Sequence, residues 1–444
     1  LSSYLTDYQT FFKVHTSDLN LQALAYLEGL FLTERNKRNI ERMSEQNNQH
    51  YQKQHHFLSD SPWSAQSVMQ KISIDTNAML GDYSGQCLSI DESSNAKAGK
   101  HSVGVSRQHN GNLGKIDNCQ TGVYASLCCG NVVGLINTRL FLPDEWVKDT
   151  KRCQKAGIPK EVIVKKTKID LALDMIRESL SVGVKFGWIN ADGAYGTSHK
   201  FCNTIEDLGQ KFVVDIHKDQ LIYLTEPQPF LPELKTKMSR PNRRFKVNEK
   251  PIQVDDYLKS LSDHDFKRVK IRKGTKGWIM GDIHLKEVWV WHYQGRDALP
   301  RKRTLLIRKG LRKGDPIKYC ISNFGINERT HQEFAFMQAQ RHWIERAFED
   351  GKGELGMVDY QVRKFNAWYH HQALVMLAMQ FVNKKKVELK QDLPLLSVRD
   401  VRLNIVATLK EQGAEMEKEI DQMFERHRQR LNDINRYYPD NEYF

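Results

Sequence analysis

The stretch KTKIDLALDMIRESLSVGVKFGWINADGAYGTSHKFCNTIEDLGQKFVVDIH, residues 166–217, decides the fold class. Residues 166–183 have helical spacing, FGWINAD (186–192) reads as a buried strand, TSHKFCNTIEDLG (197–209) as a helix and KFVVDIH (211–217) as another strand. Such βαβ alternation points to strands running in parallel beneath covering helices. Upstream, QCLSID (86–91), NCQTGVYASLCC (118–129) and VVGLINTRLFL (132–142) are rich in apolar and β-branched residues and are separated by asparagine and glycine. Three strands in series followed by alternation predict an α/β sheet of mixed direction.

Residues 1–80 read as helices, with LQALAYLEGLFL at 21–32. SDSPW reads as a turn after which Ser61 and Pro62 open a new helix. Arg35, Lys37, Arg38 and Arg42 suit a helix-turn-helix DNA contact, and helical packing without DNA accounts for them equally. Downstream, FKRVKIRKG (266–274), IMGDIHLKEVWVWHYQG (279–295) and RTLLIRKG (303–310) read as antiparallel strands, so this segment looks inserted into the alternation. After PIKYCISN (316–323), helical patterns span 327–357 and 364–389. The C-terminal stripe Ile405, Leu409, Met416, Ile420, Met423, His427, Leu431 and Ile434 suits packing on the core or against a second subunit, and Gly413 and His427 favour the core.

A chain of 444 residues exceeds one ordinary core. The expected division is 1–80, a helical region; 81–217 and 316–390, two α/β parts; 218–315, a basic β-rich insertion between them; and 391–444, a helical C-terminal region. Hydrophobic content of 40% argues for a folded protein, and the longest apolar run, at 373–382, is too short to span a bilayer. No secretory segment opens the sequence, and seven cysteines without C-x-x-C spacing fit a reduced cytoplasmic protein. Between Lys218 and Asp315, 24 Lys and Arg face 12 Asp and Glu, so that segment holds almost all of the net charge of +13. Charge concentrated in this way is a footprint for a polyanion, here nucleic acid.

Asp91 and Asp192 close strand-like segments, where a carboxylate can face solvent and bind a hard cation. RHWIERAFEDGK (341–352) spaces Arg341, Glu345 and Lys352 within about 40° of one another on a helix face, an acid between two phosphate-binding cations. Gly351 and Gly353 weaken that helix, so Lys352 is expected near or past its regular end. Glu92, Glu349 and Asp350 are neighbouring acids that sequence leaves open. In KAGKHSVGVSRQHNG, Lys97, Lys100, His101, Arg107 and His109 surround a hairpin and suit phosphate contacts or a solvated loop. Trp278, Trp289, Trp291 and Tyr293 stand among cations, and Trp289 and Trp291 share a strand face suited to stacking on bases or to core packing.

These motifs resemble those of bacterial insertion-sequence transposases of the DDE type with the signature Y-x2-R-x3-E-x6-K. Arg341, Glu345 and Lys352 match its last three positions, and Gln338 stands in place of the tyrosine. IDESSNAKAGKHSVGVSRQHNGNLGKIDNCQ, ADGAYG and ERAFEDGKGELGMVDYQVR further resemble the 701-type branch, in the same order; EGLFLTERNKRNIE and FLSDSPW extend the likeness toward the N-terminus. The resemblance implies a ribonuclease-H-like mixed sheet core, with Asp91, Asp192 and Glu345 as metal ligands and a β-rich insertion between the second acid and the third. Helical N- and C-terminal regions flank it.

Two Mg²⁺ ions, with Mn²⁺ as substitute, would activate water at a phosphodiester and stabilise the leaving 3′ oxygen. The freed 3′-OH would then attack target DNA. The expected protein is a cut-and-paste transposase acting as a homodimer on terminal inverted repeats and target DNA in the bacterial cytoplasm, bound at the nucleoid, without membrane. Arg341 and Lys352 would hold phosphates, with Lys100, Arg107, Trp289 and Trp291 as further DNA contacts. The alternatives are a catalytically silent transposase-derived DNA-binding protein and a metal-dependent nuclease without strand transfer.

Overall fold

A computed structural model describes the chain except residues 16, 48, 112, 233–243, 275–276, 293–298, 313, 391, 394, 411–423, 426, 429–430, 433–434 and 437–444. Tyr293, Met416, Ile420, Met423 and Ile434 of the sequence reading therefore lie outside the described residues. The architecture is mixed α/β, and the chain divides into two units: Leu1–Phe186 with His342–Phe444, and Gly187–Arg341.

The first unit is built on strands β1 (Cys87–Ala96), β2 (Ser106–Asn110), β3 (Lys115–Cys129) and β4 (Val132–Leu140). β3 runs antiparallel to β1 along one edge and to β2 and then β4 along the other. Cys119–Cys128 are buried along β3 without alternation, because helices Ala65–Leu80, Lys168–Ser181, His342–Glu354 and Phe365–Glu388 pack on β3 or β4. Lys168–Ser181 begins in a capping box, Thr167 with Asp170, which satisfies two of the amides that a helix start leaves unpaired. Phe365–Glu388 is buried around its circumference through Asn383 and is the core helix, and several of its polar residues are partnered. His371 meets the Tyr26 hydroxyl through Nδ1 at 2.8 Å and the Gly356 carbonyl through Nε2 at 3.1 Å. Asn383 donates to the Val133 carbonyl at 2.7 Å. Buried polar atoms left unpaired would cost a large part of a fold's net stability.

Helices Asn20–Leu32, Tyr51–Ser59 and Ala65–Leu80 pack on this core helix. The last starts at Ala65 with Ser64 as its cap, accepting from the Ser67 amide at 3.1 Å, and not at Ser61–Pro62. Ser61 is taken instead by the preceding helix, whose His56 carbonyl accepts from its hydroxyl. Of the N-terminal cations, Arg38 is buried and paired with Asp359, Lys37 pairs with Glu34 and Arg42 with Glu45. Helix Val398–Lys410 packs on Asn20–Leu32, His342–Glu354 and Phe365–Glu388, with Val401 and Ile405 buried, so this part of the C-terminal stripe serves the core. His427 Nε2 contacts Asp400 at 2.8 Å.

The second unit contains β5 (Trp188–Ala191), β6 (Val213–Asp215), β7 (Lys267–Gly274), β8 (Gly277–Val290), β9 (Arg301–Lys309) and β10 (Lys318–Ser322). Antiparallel strands in the order β7-β8-β9-β10-β6 make one sheet, so the strands of the basic segment continue into those that flank it. A parallel bridge, Ile189 to Phe212, links β5 to the start of β6. Arg303 is buried against Glu206, with two nitrogens on its two oxygens at 2.9 Å, and Arg301 also reaches Glu206. Part of the basic charge is thus spent inside the unit.

The pattern expected as one helix over 327–357 is two helices, His331–Ala339 and His342–Glu354, separated by Gln340–Arg341. Asp215 bonds the side chains of Gln338 and Arg341, and Asn190 takes the carbonyls of Met337 and Gln338. These side-chain tethers end the first helix where sequence periodicity would continue it. Among the described residues no helix is long and apolar enough to cross a membrane.

Candidate active site

In the first unit Asp91 does not close its strand, because pairing with β3 carries β1 on to Ala96; it stands mid-strand, directly opposite Tyr124 of β3. Helix His342–Glu354 packs on β1, β3 and β4. Phe348 follows Glu345 by three residues and precedes Lys352 by four, so the three share a helix face. Its ring meets Tyr124 edge-to-face at 5.3 Å between centroids, which seats that face over the Asp91–Tyr124 pair. Burial lowers the pKa of the Lys352 ammonium, and the Asp91 carboxylate opposes that shift, so the two are within electrostatic reach. Glu345 is exposed in the first turn and Lys352 lies in the last, the arrangement that a helix dipole favours.

The helix continues through both glycines to Glu354, so Lys352 is inside it rather than past its end. A methyl on Gly351 would stand 3.2 Å from Met357 Sδ and 3.4 Å from Met379 Cε; close packing explains the glycine and compensates for its poor helix propensity. The alternative acids have local partners. Glu92 takes Lys168 at 2.7 Å, and Arg346 bridges Glu349 at 3.0 Å and Asp350 at 3.1 Å.

In the second unit Asp192 follows β5 and caps the short helix Gly193–Gly196, its Oδ1 accepting from the amides of Ala194 at 3.0 Å and Tyr195 at 3.4 Å. The glycines of ADGAYG follow from crowding: a methyl on Gly193 would press on His217, and one on Gly196 would collide with the Asp215 carbonyl. Arg341 lies in the turn between the two helices, not on the Glu345 helix, so the single-face argument holds for Glu345 and Lys352 alone. Its Nε contacts Asp215 Oδ2 at 3.1 Å. Gln338, at the position of the signature tyrosine, is buried, and its Nε2 donates to Asp215 Oδ1 at 2.9 Å. Cys320 Sγ donates to the same oxygen at 3.0 Å. Asp215 escaped the sequence reading because Ile216 and His217 follow it in KFVVDIH, whereas Asp192 ends GWINAD; the strand itself stops at Asp215.

Lys100 and Arg107 are exposed, the first in the loop after β1 and the second on β2. Lys97 of the same stretch turns inward, donating to the Tyr360 carbonyl at 3.0 Å with its ammonium 3.8 Å from that ring. Trp289 lies on β8 and is half-buried with Lys302 over its ring at 5.8 Å, whereas Trp291 lies beyond the strand end at Val290, so the expected shared strand face covers Trp289 only. Trp278 has Lys270 and Lys273 over its ring.

Carboxylate oxygens are suitable donors for a hard divalent ion. Among the described residues no group of three or more His, Cys, Asp or Glu is gathered to hold a metal. The first unit carries Asp91 and Glu345 of the expected acids, and the second carries Asp192.

A family model described as DDE superfamily endonuclease matches residues 10–278, more than half of the sequence, and the chain belongs to that family. The matched span contains Asp91 and Asp192; Arg341, Glu345 and Lys352 lie beyond it. The chain is 30% identical over 177 residues to the probable transposase for insertion sequence element IS701 of Microchaete diplosiphon. That match covers 39% of this chain and 43% of the relative, less than half of its length. The piggyBac transposase in a synaptic complex with hairpin DNA aligns over 96% of this chain and 81% of its own, with a TM-score of 0.38 and 10% identity, too distant a likeness to carry the fold.

Proposed function

We propose that this chain is an insertion-sequence DNA transposase that cleaves the ends of its element and joins the freed 3′-OH to target DNA. The observation that carries the reading is the seating of the Glu345–Phe348–Lys352 helix face on the Asp91–Tyr124 strand pair, in a member of the DDE endonuclease family. Asp91, Asp192 and Glu345 would hold Mg²⁺ or Mn²⁺. Such ions, when bound, supply an activated water and charge stabilisation at the leaving oxygen. Lys352 and Arg341 hold phosphates of the scissile strand, the first as a point charge and the second as a planar fork. Lys100 and Arg107 extend the phosphate contacts, and Trp289 and Trp291 stack on bases.

The core of this reading is ribonuclease-H-like, made of 81–217 and 316–390 and interrupted by 218–315, with 1–80 as a DNA-binding region and 391–444 as a helical C-terminal region. Support for it comes from three antiparallel strands with β3 between β1 and β4, followed in sequence by the parallel-bridged β5 and β6. The protein acts as a homodimer on terminal inverted repeats and target DNA in the bacterial cytoplasm.

The test incubates the full chain with a labelled duplex bearing the element's terminal repeat, a target plasmid and Mg²⁺. Joined product is expected. Cleavage without joining identifies a nuclease, and binding without cleavage identifies a silent DNA-binding derivative.

A further inference from the structure

Asp215 closes β6, and Asp192 stands three residues beyond Ile189 just as Asp215 stands three beyond Phe212. The parallel bridge between Ile189 and Phe212 therefore brings the two acids level at the same end of neighbouring strands. Both oxygens of Asp215 are engaged: Oδ1 by Gln338 Nε2 and Cys320 Sγ, Oδ2 by Arg341 Nε. From β5, Asn190 Nδ2 holds the carbonyls of Met337 at 3.0 Å and Gln338 at 3.4 Å. The end of helix His331–Ala339 is thus tied to both strands, and the side chains so fixed include an arginine in the turn.

We propose that Asp215 is a positioning residue that presents Arg341 to a phosphate of the cleaved DNA end, with Gln338 as its second tether. This rests on the transposase reading. An unrestrained arginine loses rotamer freedom when it is ordered against a ligand. A carboxylate on Nε removes much of that loss beforehand and sets the plane of the guanidinium, whose direction governs a bidentate phosphate contact. Gln338 gives the signature's first position a role in this chain that needs no aromatic ring: its amide holds the carboxylate that holds the arginine.

A double-mutant cycle tests this with the full chain, the labelled terminal-repeat duplex and Mg²⁺. Arg341→Ala in the wild-type background is expected to weaken end binding or slow cleavage about tenfold or more, the worth of a charge-assisted hydrogen bond. It should also lower the slope of log affinity against log salt by about 0.9, one phosphate contact. Asp215→Asn keeps the shape but turns an amide donor or a neutral oxygen toward Nε. It should reproduce most of that loss, and adding Arg341→Ala should then cost less than about threefold, by the non-additivity of groups acting as a unit.

Additive losses, or wild-type behaviour of Asp215→Asn, overturn the proposal. If Asp215→Asn does not fold, as judged by its melting temperature, Arg341→Lys decides. It keeps the charge and hence the salt slope, but should lose about tenfold in cleavage because an ammonium has no planar fork. Cleavage by Arg341→Lys at the wild-type rate would mean that Asp215 merely anchors the helix end. Failure of the wild-type chain to bind or cut the duplex would instead defeat the transposase reading itself.

Discussion

Replacing Arg38 by methionine separates a structural cation from a DNA contact in the N-terminal helices. The Arg38 side chain is inaccessible, with Nη1 3.5 Å from Asp359 Oδ2 and 3.4 Å from the Gly353 carbonyl. Burial and the neighbouring Arg402 pull its pKa down to about 10 while Asp359 opposes them. Methionine keeps most of the volume and removes the charge, leaving the Asp359 carboxylate buried. Breaking a buried pair from one side costs about 3–5 kcal/mol.

Here the lower end applies, about 3 kcal/mol, for two reasons. Both Arg38 contacts are at the long limit of a hydrogen bond, and Asp359 keeps the Asn36 amide at 3.1 Å and the field of Lys97. Urea unfolding should show this loss at unchanged m-value, and Asp359→Asn added to Arg38→Met should recover part of it. End-DNA affinity at a temperature where the variant is folded should not change. A loss below about 1 kcal/mol, the range of an exposed pair, together with weaker DNA binding and a lower salt slope, would refute the reasoning and restore Arg38 to the DNA surface.

Alanine at Asp91, Asp192 or Glu345 is expected to abolish Mg²⁺-dependent cleavage while end binding in a gel-shift assay changes little; an active variant would remove its residue from the set of metal ligands. Burial pulls the His371 imidazole down to about 3, and the positive charge of Lys97 adds to the shift, so His371 stays neutral in the fold, whereas an unfolded histidine protonates near pH 6.5. Stability on this account is fully present above pH 6.5 and falls by up to about 1.4 kcal/mol per pH unit as pH drops toward 3. Urea titrations of wild type and His371→Gln between pH 7 and 5 should differ by one proton's slope, and equal slopes would contradict it.

Sequence alone determined what depends on neighbours in the chain. Periodicity located the strands around Asp91 and Asp192 and the helix at 364–389, because burial of one or both faces imposes its period on the residues. Asp192 stood out because an acid closing an apolar strand is costly unless it has a task, whereas Asp91 stands inside β1 and its mid-strand place was not legible. The spacing of Glu345 and Lys352 needed only helix geometry. Tertiary structure decided what depends on partners distant in sequence. The break at Gln340–Arg341 lies in a sequence that reads as continuous helix, and it is made by Asp215 and Asn190, more than 120 residues upstream. Arg38 looked like its exposed neighbours until Asp359 accounted for it. Gly351 looked like a helix breaker until Met357 and Met379 supplied the packing that holds the helix through it. In each case the deciding energy is a hydrogen bond, an ion pair or a close packing contact formed only on folding, and periodicity carries no record of its partner.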